Sequence, residues 1–364
     1  MTPGGEAEGA GIRCMLMRGG TSKGAYFVAG DLPQDSAERD DLLLRIMGSP
    51  DPREIDGIGG GHPLTSKVAV ISTSAEVNAD VDYRFLQVQV DEPIVSDQQT
   101  CGNLLAGVGP FAIERGLVSV SGESTQVRIR IMNGTTSTAT ALVHTPGGRV
   151  SYSGDVFISG APFSAAAVPL EFPRASAALL PTGQVRDRFA GIDVTCVNAG
   201  MPVVLLLARD LGATGYETPE ELEANSALKH KVEQVRLLAG AAMGLGDVAA
   251  ATVPKMSLLA PPRHGGAIST RTFIPRRVHT SIGVVGAISV AAGAQIPGAV
   301  GFDLLEKADA SRVRIEHPTG FFDVDVEVEP VDDTYEVTRS AVIRTARKLF
   351  DGLVWPRDPE GVSA

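Results

Sequence analysis

The stretch Cys101-Gly102-Asn103-Leu104-Leu105-Ala106-Gly107-Val108-Gly109-Pro110-Phe111-Ala112-Ile113-Glu114-Arg115-Gly116 decides the fold. From about 102 to 115 it is apolar nearly all round and rich in small residues. A helix here has no face to offer water, so it is expected to be buried on every side with strands wrapped closely around it. A second run of the same character, 279–293 (HTSIGVVGAISVAAG), predicts a matching central helix over about 280–293, Gly286 answering Gly109 and Gly293 answering Gly116. Upstream of each, a lysine opens an apolar strand: Thr65-Ser66-Lys67-Val68-Ala69-Val70-Ile71 in one case, Val253-Pro254-Lys255-Met256-Ser257-Leu258-Leu259 in the other. The period is too long for a solenoid and reads as duplication of one β-rich unit around a central helix. The expected fold class is α+β, two pseudo-symmetric domains, with a cleft between the copies as the natural ligand site.

The surrounding pattern agrees. Short β-rich runs at 13–17, 24–28, 67–72, 81–90, 126–132, 138–144 and 150–158 recur at the spacing of about 8 to 12 residues expected of barrels or sandwiches. Two solvated helices interrupt them. One spans 36–47 and stops at Gly48-Ser49-Pro50; the other opens at Thr218-Pro219-Glu220-Glu221 and is expected to run to about Met243. A chain of 364 residues exceeds the size at which a single core keeps growing. The domains are drawn at 11–185 and 186–340, the first also open to receiving a C-terminal strand at 341–357, with 1–10 and 358–364 as flexible tails.

Composition removes several function classes. A formal net charge of -11 repels a phosphate backbone, and aromatics at 5% offer no stacking platform, so nucleic acid is not an expected partner. No apolar run is long enough to span a membrane and no signal-like segment opens the chain, so a cytoplasmic protein is expected. Cys14, Cys101 and Cys196 are odd in number, far apart and without a C-x-x-C, which fits reduced thiols. Histidines and carboxylates do not cluster at ligand spacing, so no metal is expected. Gly57-Ile58-Gly59-Gly60-Gly61-His62 ends on histidine and leads into a strand, which rejects a dinucleotide site. The exception to the acidity is 263–279, where Arg263, His264, Arg271, Arg276, Arg277 and His279 gather without a carboxylate among them and mark a local anion site.

Two residues carry candidate chemistry. Cys101 stands at the start of the buried helix, where unpaired N–H groups and the helix dipole favour a thiolate, and Gly102-Asn103 lets a ligand approach the helix end. An inert core cysteine is the competing reading. Lys67 leads into an uncharged strand; burial there would lower its pKa and supply a neutral amine for abstracting a proton from carbon. A strand-end lysine snorkelling to water is the alternative. Arg18, in Met17-Arg18-Gly19-Gly20-Thr21-Ser22-Lys23-Gly24, offers a bidentate fork for a carboxylate, or the segment is a plain tight hairpin.

The runs MRGGTSKGAYF (17–27), MGSPDPREIDGIGGGHPLTSKVAV (47–70), CGNLLAGVGPFAIERGLV (101–118), GDV-x4-VPKM (246–256), FIPRRVHTSIGV (273–284) and EHPTG (316–320) resemble the PrpF family of aconitate and methylaconitate isomerases, which has the diaminopimelate-epimerase-like fold. The resemblance covers about 12–355. It implies two domains, each a mixed β-barrel around a central helix, and an active site between them. It also implies that Lys67 and Cys101 transfer protons while Arg18, Ser22, Ser66, Gly102, Asn103, Lys255, Arg276, His279, His317 and Thr319 line or support a polycarboxylate site. Epimerases of this fold oppose two thiols, whereas the second helix start here carries Val278-His279-Thr280-Ser281. A cofactor-independent 1,3-allylic proton shift on an unsaturated tricarboxylate is therefore the expected reaction. The motifs lie nearest the group acting on 4-oxalomesaconate in aromatic acid degradation, with aconitate or methylaconitate isomerisation as the alternative. A non-catalytic protein that binds a tricarboxylate is the reading from a different class, and a homodimer is one assembly the sequence allows.

Overall fold

The computed structural model describes residues 11–97, 101–133, 137–173, 177–249, 251–274, 277–306 and 312–359. The chain divides into two units: one runs to Leu170 and resumes at Arg344, the other spans Glu171–Ile343.

In the first unit β1 (Ile12–Gly19) and β2 (Ser22–Val28) form a hairpin, and α1 (Ser36–Met47) carries the chain to β3 (Lys67–Thr73), parallel to β2. Strand β4 (Val81–Val88) returns antiparallel, with the short β5 (Val95–Ser96) beside it. Helix α2 (Gly102–Glu114) then crosses to β6 (Ser124–Ile131), parallel to β4, and β7 (Ser137–His144) turns back before β8 (Ala167–Phe172). The end of the last strand, Thr334–Val354, lies between β8 and β1 in sheet order and closes an eight-stranded barrel.

The second unit repeats the same alternation of senses. After β9 (Asp187–Phe189), β10 (Ile192–Asn198) pairs antiparallel with β11 (Pro202–Leu207), and α3 (Pro219–Ala224) and α4 (Ser226–Ala242) cross to the parallel β12 (Lys255–Ala260). Strand β13 (Ile268–Phe273) returns, α5 (Val284–Ala294) crosses to the parallel β14 (Arg312–His317), and β15 (Gly320–Val331) and β16 (Thr334–Val354) complete the sheet. Parallel neighbours require a crossover, and each crossover between neighbouring strands is helical, at the same place in both units. Duplication is thus written in the topology.

Each unit wraps its sheet on a helix that water does not reach. Leu104 to Ile113 of α2 are all buried, and Ala287 to Ala294 of α5 likewise. The small residues allow the approach: a Cβ on Gly107 would collide with the Tyr26 hydroxyl, one on Gly109 would lie 2.8 Å from Val143 Cγ2, and one on Gly293 2.6 Å from Val197 Cγ2.

Four expectations change. The second central helix begins at Val284 rather than about 280, because residues 279–283 form a loop in which the His279 amide bonds Thr272 and the Ser281 amide bonds the His279 ring. The glycine correspondences fail with it: Gly109 is tightly packed while Gly286 faces open space, and Gly116 lies beyond its helix at φ 71° while Gly293 lies inside its own. The helix opened by Thr218 breaks at Asn225, whose side chain caps α4 by accepting from the Leu228 amide. Residues 150–158 form no strand and contribute an isolated bridge from Val156 to Ala165.

Candidate active site

Lys67 is the first residue of β3 and lies directly opposite Gln87 of β4. The residue is 7% exposed, and its Nζ donates to Gln87 Oε1 at 2.7 Å and sits 4.9 Å from the centre of the Phe85 ring. Burial pushes its pKa below the ordinary lysine value, and Cys101, when ionised, opposes that shift. Gln87 is itself fixed: its Nε2 donates to Ser66 O at 2.8 Å, Pro63 O at 3.1 Å and Val88 O at 3.3 Å.

Cys101 is buried and precedes the first turn of α2, whose N-terminus carries no side-chain cap. Two phenols hold that turn. Tyr83 donates to the Cys101 carbonyl at 3.2 Å and Tyr26 to the Leu104 carbonyl at 2.6 Å. Burial, then the charge of Cys101, drives both phenol pKa values far up, so both remain neutral donors. Gly102 opens the helix. Asn103 turns instead to the β1–β2 turn, where its Nδ2 donates to Thr21 Oγ1 at 3.1 Å, and Gly20, at φ 54°, leaves no room for a Cβ against the Asn103 side chain.

The other expected groups of this unit divide in the same way. Arg18 Nη1 donates to Gly20 O at 2.8 Å and to Thr345 Oγ1 at 2.9 Å, so one end of its fork locks the turn to the final strand. Burial and the neighbouring charge of Arg347 lower its pKa. Ser22 is buried, and among the described residues its hydroxyl has no hydrogen-bond partner. Ser66 is fully buried and donates through a short hydrogen bond to Glu54, which also accepts from the Gly61 amide at 2.8 Å. A Cβ on Gly59 would strike the Glu54 carboxylate. The glycine run therefore wraps a buried acid that fastens Ser66, the residue before Lys67.

In the second unit Lys255 opens β12 and is half-buried. Burial, then the charge of Arg236, lowers its pKa. Arg236 is fully buried, pairs bidentately with Glu233 at 2.7 and 2.8 Å, and donates to Val253 O and Val248 O in the loop that delivers Lys255. His279 accepts the Ser281 amide at its Nδ1, which leaves its ring proton on Nε2; burial, then the charge of Lys255, lowers its pKa and keeps it neutral. His317 is linked through Nε2 to Ser281 Oγ at 3.2 Å and accepts the Thr319 amide at Nδ1 at 3.3 Å, while Thr319 Oγ1 donates to Thr280 O. Arg276 lies outside the described residues. Among the described residues, no three or more His, Cys, Asp or Glu side chains gather as a metal-binding group, and no helix is long and apolar enough to cross a membrane.

The first part of the basic segment is occupied by the protein itself. Its backbone closes on an internal carboxylate: Glu316, 3% exposed, accepts from the Arg263 amide at 2.9 Å, the His264 amide at 2.5 Å and the Gly266 amide at 2.9 Å. Arg263 stacks 3.4 Å from the centre of the Tyr216 ring, and Arg271 donates to Glu217 O and Thr270 O. The carboxylate was invisible locally because it arrives from a strand some 50 residues on. Burial would raise the pKa of Glu316, but the three amides outweigh it and hold it below the ordinary value. Glu316→Ala is expected to cost about 3 kcal/mol by leaving those donors unpaired. The sign follows from the depressed pKa: the stabilisation is present above the unfolded carboxylate value and disappears as pH falls through the lower folded one. Urea unfolding at pH 7 and again near pH 3 measures it, and the gap between wild type and variant should narrow in acid.

The residues missed by sequence reading are Gln87, Glu54, Tyr26, Tyr83, Ser281 and Arg236. Gln87 had a signal, because Val81, Tyr83, Phe85 and Gln87 share one face of β4, and an amide in an otherwise apolar inward row needs a partner. Glu54, in an irregular loop, had none.

A model of the family described as PrpF protein matches residues 10–357 of the chain. A (4E)-oxalomesaconate Delta-isomerase of Novosphingobium sp. is 53% identical over 348 residues, covering 94% of this chain and 96% of that protein. A 4-oxalomesaconate tautomerase of Pseudomonas putida is 54% identical over 350 residues, covering 94% and 95%. Among solved structures, a crystal structure of methylitaconate-delta-isomerase superposes with a TM-score of 0.85 at 32% identity, covering 98% of this chain and all of that one.

Proposed function

Because the chain belongs to the PrpF family and is an isomerase, we propose that it catalyses a 1,3-allylic proton shift on an unsaturated tricarboxylate, with 4-oxalomesaconate as the substrate and Lys67 and Cys101 as its acid/base pair. The observation that carries this reading is the setting of Lys67: a buried amine whose pKa burial lowers, bonded to an amide oxygen and, among the described residues, to no carboxylate. Such an amine is available as a free base.

In the proposed step the Lys67 lone pair takes a proton from the acidified carbon, the C–H electrons move into a dienolate, and the Cys101 thiol delivers its proton to the far carbon. The double bond has shifted, and the enzyme is left with an ammonium and a thiolate. Proton return from Lys67 to Cys101 resets the pair, so the cycle balances with two side chains. The N-terminus of α2, which the Cys101 side chain does not cap, would stabilise the thiolate and nearby substrate charge. Arg18, Ser22, Lys255, Arg276, His279, His317 and Thr319 are proposed as groups that hold the carboxylates, in an enzyme of the cytoplasm whose partner is a small di- or tricarboxylate. Ser66 and Asn103 act in this reading through the backbone segments that their side chains fasten.

The test is turnover of 4-oxalomesaconate in deuterated water, followed by proton NMR. One deuterium per product at the carbon that receives the proton is expected. Turnover of aconitate or methylaconitate in its place would reassign the substrate, and ligand binding without solvent exchange would remove the catalytic reading.

A further inference from the structure

We propose that Gln87 is the positioning residue of the proton-transfer step: its amide oxygen and the face of Phe85 engage two N–H bonds of the Lys67 amine and leave the lone pair free for the carbon acid. The proposal rests on the assignment of Lys67 as base made above, and it adds the group that orients it.

The orientation of the Gln87 amide is determined by its surroundings. Its nitrogen end faces three carbonyl oxygens, of Ser66, Pro63 and Val88, at 2.8, 3.1 and 3.3 Å. Carbonyls only accept, so the donor end must point at them and the acceptor end must point at Lys67, 2.7 Å away. An amide oxygen cannot donate, so the contact requires an N–H from Lys67 and excludes its lone pair. The Phe85 ring, 4.9 Å from Nζ, imposes the same choice, since the negative face of an aromatic ring attracts N–H and repels a lone pair. A neutral amine has two N–H bonds and one lone pair. With both N–H directions engaged, the lone pair takes the remaining one.

Both groups are themselves held. Gln87 lies opposite Lys67 in the β3–β4 register, and Asn133 clamps the backbone of Phe85, its Oδ1 accepting from the Phe85 amide and its Nδ2 donating to the Phe85 carbonyl, each at 2.8 Å. The chemistry of the holder also matters. A carboxylate in the place of Gln87 would fix the lysine as ammonium, whereas a neutral amide aligns it and leaves it able to lose its proton.

The experiment compares pH profiles of kcat for wild type, Gln87→Glu and Gln87→Met, with thermal melting to verify folding and Lys67→Ala as the control for the underlying reading. For Gln87→Glu the acid limb should move up by about one pH unit or more, with a loss of roughly tenfold or more at pH 7 that recovers in alkali. Gln87→Met, which fills the space without an acceptor, should lower kcat by about 10- to 100-fold with KM within about threefold of wild type. An acid limb of Gln87→Glu that coincides with wild type, or a folded Gln87→Met with wild-type kcat, overturns the proposal. If either occurs while Lys67→Ala is inactive, the orienting role alone fails; if Lys67→Ala retains activity, the base assignment fails with it.

Discussion

Cys101→Ser is expected to lose isomerisation by roughly 10³-fold while still exchanging the substrate proton that Lys67 removes. A hydroxyl is a far weaker acid than a thiol, so protonation of the distal carbon stalls. The hydrogen bond of Lys67 survives the change, because it goes to Gln87 and not to Cys101. In deuterated water the lysine then takes the proton, exchanges it with solvent and returns deuterium to the carbon it came from. Recovered substrate should be labelled at that carbon and product nearly absent. Exchange and isomerisation falling together would mean that one group does both jobs, and the two-residue scheme would be wrong. Serine preserves the bulk at a buried helix start held through the backbone by Tyr83, so the fold should survive.

Lys67→Ala should abolish both processes, with kcat/KM reduced by about 10³- to 10⁴-fold and no label in recovered substrate. Lys67→Met separates catalysis from stability. Burial holds the folded-state pKa of Lys67 below its unfolded value, so between the two values the unfolded chain binds the extra proton. Wild-type stability therefore rises with pH across that window. Methionine fills the same space without a charge, and the variant should be inactive yet roughly 1 kcal/mol more stable at neutral pH. That advantage should shrink as pH approaches the ordinary lysine range. Urea titrations at pH 7 and pH 10 measure it, and a Met variant less stable than wild type at pH 7 would show that burial of Lys67 does not disfavour its charged form.

How much of this was legible before the structure depended on the range of the interactions. The two buried helices were visible because composition alone marks a segment with no polar face, and α2 begins and ends within a residue of its expected bounds. The beginning of α5 was misjudged because Thr280, Ser281 and Gly283 continue the small-residue character of the helix, while His279, Ser281 and Thr280 are drawn into hydrogen bonds with one another and with His317 and Thr319. Local propensity carries no record of partners some 40 residues away. The same limit hid the carboxylate inside the basic segment. Lys67 and Cys101 stood out by position, but what makes the lysine usable is Gln87, 20 residues along and one strand over.

The barrel of the first unit is closed by residues near the very end of the chain, Ala346 to Val354 pairing with β1. During synthesis on a ribosome Lys67 and Cys101 emerge early, yet β1 keeps a bare edge until the entire second unit has been made. The last strand is also fastened by side chains, Arg115 to Asp351 and Lys348 to Glu114, both reaching from the end of α2. Translation of a message cut short before codon 344 would thus yield a product that carries Lys67 and Cys101 in an unclosed sheet, with an edge open to other strands. The first unit to be started is thus completed only after the second has been made.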